Sequence, residues 1–101
     1  MLLIQILLPL ADEDGVSFPA EQYGHLAQQL TDQFGGVTSF TRSPAEGRWK
    51  QGGETEHDEI VVMEVMMDEV DRAWVGKLQG RFASEIWQSE IVIRCQPIER
   101  L

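Results

Sequence analysis

Apolar and polar residues alternate with different periods along the chain, and each change of period marks an element. Residues 2–9 (Leu-Leu-Ile-Gln-Ile-Leu-Leu-Pro) form an apolar run broken only by Gln5. Such a run predicts a central strand. A polar turn follows at 11–17. Tyr23, Leu26, Ala27, Leu30 and Phe34 then recur at steps of three and four, the spacing of an amphipathic helix. Ser17 is its candidate N-cap, Pro19 fits its first turn, and Gly35-Gly36 ends it. Val37 to Thr41 is β-branched and aromatic and predicts a short strand. Residues 42–57 read as a long polar connection, of a length that usually serves function or mobility, with the alternative that Trp49 belongs to an extension of either flanking strand. Residues 59–67 (Glu-Ile-Val-Val-Met-Glu-Val-Met-Met) are the strongest strand in the chain. Asp68 is the candidate cap of a second helix that runs to about Trp87, with Trp74, Val75, Leu78, Phe82 and Ile86 as its apolar stripe. Gly76 and Gly80 lie inside it and each costs about 1 kcal/mol against alanine, so a closely packed neighbouring backbone is expected there. Residues 90–97 predict a last strand.

The element order is therefore βαββαβ in a single domain, 1–101. About 100 residues in this order predict an α+β ferredoxin-like sandwich, a four-stranded antiparallel sheet with both helices on one face. Right-handed crossovers give the strand order 4-1-3-2 and make the two most apolar strands central. Side chains alternate along a strand, so the face away from the helices is expected to carry Leu3, Leu7, Ile60, Val62, Met66 and Val92. Gln5, Glu64 and Arg94 stand among them. Cys95, of opposite parity to Arg94, is expected to face the core. An open face this apolar marks an interaction surface, and a second copy is its simplest cover. The chain is expected to form a homodimer through it.

Composition narrows the partners. The chain is 43% apolar and 25% charged, an ordinary globular profile. Asp and Glu number 17 against 8 Lys and Arg, a net charge of −9. That argues against nucleic acid and anionic membrane, which need a basic footprint. The single cysteine excludes an internal disulfide and a Cys-rich zinc site. The N-terminal run resembles the apolar part of a signal peptide, but no Lys or Arg precedes it and it is too short to span a bilayer. A cytoplasmic compartment is the expectation.

Three constellations could carry chemistry. Gln5, Glu64 and Arg94 form either a satisfied polar network that fixes the register of an interface or the polar floor of a ligand cleft. Asp12, Glu13 and Asp14 lie at the same sheet edge as Glu54, Glu56, His57 and Asp58. Hard oxygen ligands with an imidazole could take a divalent cation, but no spacing matches a known metal loop, so no metal is assigned. The stretch Arg42-Ser43-Pro44-Ala45-Glu46-Gly47-Arg48-Trp49 is a basic-aromatic patch in an acidic chain. Arginine forks with a tryptophan face suit a small anionic aromatic molecule, and the same residues could equally anchor the loop. His57 stands beside acids that would raise its pKa. The candidate ligand-binding residues are Gln5, Arg42, Arg48, Trp49, His57, Glu64 and Arg94. No nucleophile elbow, phosphate loop or cysteine redox pair is present, and no cofactor is implied.

Thr38-x-x-Thr41-Arg42-Ser43-Pro44-Ala45-x-Gly47-x-Trp49, Asp58-x-Ile60-Val61-Val62-x-Glu64-Val65-Met66 and Ile91-Val92-Ile93-Arg94 carry a resemblance. From Gly35 onward the chain resembles a group of short uncharacterised bacterial proteins of ferredoxin-like fold. The resemblance implies a fold and a bacterial origin, and no activity or catalytic residue. The reading is a binding or assembly module, with a small molecule as a candidate ligand. The alternative is a small enzyme with its site near the loop 42–57.

Overall fold

A computed structural model describes residues 1–82 and 91–101, and the side chains of these apart from 41–47, 49–51 and 54–58. The elements are β1 (Leu2–Pro9), α1 (Ala20–Phe34), β2 (Thr38–Gln51), β3 (Glu54–Met67), α2 (Arg72–Arg81) and β4 (Val92–Pro97). They build a four-stranded sheet in the order β2-β3-β1-β4, the predicted order read from its other edge. Every pairing is antiparallel. This is the α+β ferredoxin-like fold.

The core lies between the sheet and the helices. Ile4, Ile6 and Leu8 of β1 and Val61, Met63 and Val65 of β3 meet Tyr23, Leu26 and Leu30 of α1 and Leu78 and Phe82 of α2. Period two on the strands and period 3.6 on α1 thus supply one continuous apolar layer. Phe34 and Trp74 close it with an edge-to-face ring contact, centroids 4.7 Å apart, which joins the end of α1 to the start of α2. Gln79 fixes the entry to β4. Its amide nitrogen donates to the carbonyl of Ile91, and its amide oxygen accepts from the Ile91 N–H at 3.4 Å.

Residues 42–57 are not a loop. β2 and β3 are 14 residues each and form one long hairpin, turned by Gly52 and Gly53 at φ 61° and 88°. Two successive residues at positive φ make the tight turn whose twist matches its strands, and glycine adopts that conformation without steric cost. Pairing is regular from Ala45–Ile60 to Gln51–Glu54, with an irregularity between Phe40 and Ala45. β1 pairs with β3 only as far as Pro9–Ile60, so the hairpin beyond that point projects past the other strands. Strands of this length, at about 3.3 Å per residue, account for a molecule 40 Å long and 28 by 26 Å across.

Both helix caps differ from expectation. Ser17 bridges to Ala11, and Phe18 donates its N–H to Leu10, so the chain stays extended through Pro19 and α1 starts at Ala20. Asp71, not Asp68, caps α2, its carboxylate accepting from the Trp74 N–H at 3.0 Å. The closely packed neighbour expected at Gly76 and Gly80 is not seen among the described residues. Both are exposed, and a Cβ on either would meet nothing within 4 Å among the described residues. The expected extension of this helix to Trp87, with Ile86, lies outside the described residues.

Candidate functional site

Three strands bring Gln5, Glu64 and Arg94 together. Gln5 of β1 is in register with Glu64 of β3 on one side and Arg94 of β4 on the other. Its amide nitrogen donates to a Glu64 carboxylate oxygen at 2.7 Å, and its amide oxygen accepts from Arg94 Nε at 2.8 Å. Strands are spaced about 4.8 Å apart, so Glu64 and Arg94 stand two strands apart and meet only through Gln5. The amide is suited to this position because it presents a donor to the anion and an acceptor to the cation. Among the described residues Arg94 makes no other bond, so its terminal nitrogens remain available as donors. The row runs from an acidic end at β3 to a basic end at β4.

The row lies on the open face, between apolar ones. Phe40, Val62, Leu7 and Val92 align on one side of it, and Met66 and Leu3 on the other. Phe40, Met66 and Val92 are 48%, 49% and 46% exposed. Exposed apolar side chains scattered singly are ordinary, but adjoining ones mark an interaction surface. Ile60, of the same parity, is buried. Phe40 is the member of this face that sequence reading passed over. Its signal was available in the alternation Thr38, Phe40 across from Glu64, Val62, once the register is known.

The basic-aromatic stretch and the acidic residues of 54–58 lie on the two strands of one hairpin, while Asp12, Glu13 and Asp14 lie in the β1–α1 loop. Arg48 pairs with His57 and Trp49 with Glu56. Arg48 is exposed. The side chains of Arg42, Trp49 and His57 fall outside the described residues, and Arg42 sits in the irregular stretch of β2. By register Arg48, Trp49 and His57 lie on the part of the hairpin beyond the strand segments that carry Gln5, Glu64 and Arg94. Among the described residues no group of three or more His, Cys, Asp or Glu could hold a metal ion. Cys95 was expected to face the core and has the parity of that face, but it is exposed on β4, an edge strand over which little packs among the described residues. No described helix is long and apolar enough to cross a membrane.

A second feature, not expected from sequence, is a cleft of about 830 Å³ on the helix side of the sheet. It opens between the β1–α1 loop, the first half of α1 and β3. The loop is firmly held. Asp12 accepts from the Asp14 and Val16 N–H groups at 2.9 Å each, and Leu10 donates to the Glu59 carbonyl at 3.1 Å. Tyr23 lines the cleft and donates its hydroxyl to the Pro9 carbonyl at 2.5 Å. Burial pushes its phenol up to about 12 from the ordinary value of 10.

Comparison with solved structures recovers this fold across nearly the whole chain. The divalent cation tolerance protein CutA1 of Thermus thermophilus superposes with a TM-score of 0.64 at 17% identity, over 99% of this chain and 86% of that one. A point mutant of CutA1 from Pyrococcus horikoshii OT3 gives 0.63 at 13% identity, over 100% and 86%. The PII-like protein CutA of Nostoc sp. PCC 7120, in apo form, gives 0.58 at 14%, over 98% and 82%. At these identities the likeness establishes the fold. No family model matches the chain, and no curated protein matches it significantly.

Proposed function

We propose that the protein is a small binding or assembly module that works as a homodimer through its open sheet face. The observation that carries this reading is the polar row of Glu64, Gln5 and Arg94 flanked by exposed apolar residues. Water would hydrate the row but not its flanks, and a second copy satisfies both. The row is acidic at one end and basic at the other. A two-fold axis parallel to the strands lays Arg94 of one copy over Glu64 of the other, whereas an axis across the strands sets Arg94 against Arg94. Like charges so placed are costly and opposite charges favourable, so the row selects the orientation. The fold shared with the CutA proteins supplies the sheet, and the row is this chain's own evidence.

The test is solution mass by light scattering across a dilution series, for the natural chain, Arg94→Glu, and Arg94→Glu with Glu64→Arg. The natural chain is expected at twice the chain mass into the low micromolar range. The single reversal should weaken association by about tenfold or more, as both symmetry-related charged contacts are lost, and the double reversal should restore it. A monomer at every concentration overturns the reading. A larger closed ring would overturn the two-fold and keep the face.

A further inference from the structure

We infer that the cleft beside α1 is a binding site for a small organic cation with an apolar body, such as an arylalkylamine. The inference rests on the chain being a binding module, and not on how the module assembles. The cleft lies on the helix side of the sheet, so an assembly through the opposite face leaves it open.

Three observations define the ligand. The first is size, since about 830 Å³ lies within the usual range of ~300–1,000 Å³ for small-molecule sites. The second is the lining. Leu10, Phe18 and Ala27, each half-buried, make an apolar floor, while the exposed Asp12, Glu13 and Glu59 place three carboxylates at the rim. Among the described lining residues there is no Lys, Arg or His to neutralise them. A neutral ligand would leave the carboxylates unused and an anion would be repelled. An ammonium group donates charge-assisted hydrogen bonds to them while its apolar body covers the floor. The third is preorganisation. The wall carrying Asp12 is fixed by its own backbone hydrogen bonds, and the Tyr23 hydroxyl is already committed to Pro9, so little has to reorganise on binding.

Gly24 gives the decisive variant. It lines the cleft from an exposed turn of α1, and a Cβ there would meet nothing within 4 Å among the described residues. Glycine is a poor helix residue, so Gly24→Leu favours the helix while filling the cleft.

The experiment is a titration of the 15N-labelled protein with phenethylamine, 2-phenylethanol and 3-phenylpropionate, followed by amide chemical shifts. Phenethylamine is expected to move the amides of residues 10–18, 24 and 59–63 and to bind about tenfold tighter than the alcohol, the difference a charge-assisted contact makes. The carboxylate should not bind. Glu13→Gln with Glu59→Gln should weaken the amine by about tenfold, and Gly24→Leu should abolish its shifts while keeping the helical circular dichroism. Equal binding of amine and alcohol, shifts scattered outside these residues, no saturable amine binding, or amine binding unaffected by Gly24→Leu would each overturn the assignment. Solution mass, read on the same samples, reports on the dimer separately.

Discussion

On the helix-covered side of the sheet β1 contributes Ile4, Ile6 and Leu8, each at most 1% exposed; on the other side the same strand contributes Leu3, Gln5 and Leu7, all half-buried. The backbone and its hydrogen bonds are common to both. What differs is whether another layer of the same chain lies on top. The covered face is wholly apolar, and no polar or charged residue is buried among the described residues. The open face holds a charged pair and an amide, whose first partners are one another. A face that only has to fold excludes polar groups, because an unpaired buried one is costly. A face that has to choose an orientation carries them in a fixed row.

Substitution on the two faces should therefore register in different measurements. Ile6→Ala removes a fully buried side chain and is expected to lower unfolding free energy by about 2–5 kcal/mol, read by urea denaturation. Phe40→Asp puts a charge on the open face at an edge-strand position that is already half exposed. It is expected to leave the circular dichroism unchanged and to weaken self-association by about 30-fold, the loss of an aromatic anchor worth some 2 kcal/mol. A Phe40→Asp protein whose mass is unaltered at all concentrations would remove the functional distinction between the faces.

Most of this contrast is legible in the sequence, because strand parity alone separates Ile4, Ile6 and Leu8 from Leu3, Gln5 and Leu7. The strand order follows from connection handedness and the relative apolarity of the runs. The projecting hairpin was harder to see. Residues 45–58 lack the apolar alternation that marks a half-buried strand, and among the described residues this part of the hairpin pairs only with itself. Gly52-Gly53 was the available signal, a two-residue turn between segments of equal length. The caps at Pro19 and Asp71 were displaced by tertiary contacts that local propensity does not contain, the Ala11–Ser17 bridge being one. The cleft could not be read at all, because its lining comes from three segments far apart in the chain.

The covered side also has a pH signature, carried by Tyr23. Tyr23 is the only tyrosine in the chain. Its phenol is held at about 12 in the folded protein against 10 when unfolded. The folded state thus keeps its proton where the unfolded state loses it. The stabilisation is fully present below pH 10 and is lost as pH rises from 10 towards 12. Urea midpoints are expected to fall across that window in the natural chain and to fall less steeply in Tyr23→Phe. A slope unchanged by the substitution would show that Tyr23 is not desolvated as its packing between α1 and β1 requires.

The smallest effect sharpens the comparison from the helices' outer side, which neither face of the sheet touches. Gly76 in α2 has helical neighbours, an exposed position and open space where a side chain would go. Among the described residues nothing asks for glycine there, so the residue costs conformational entropy without a packing return. Gly76→Ala is expected to raise unfolding free energy by about 0.5–1 kcal/mol, with solution mass unaltered. A loss of stability would mean that a neighbour approaches α2 at this position after all. A changed mass would mean that the helix side, and not only the open sheet face, takes part in assembly.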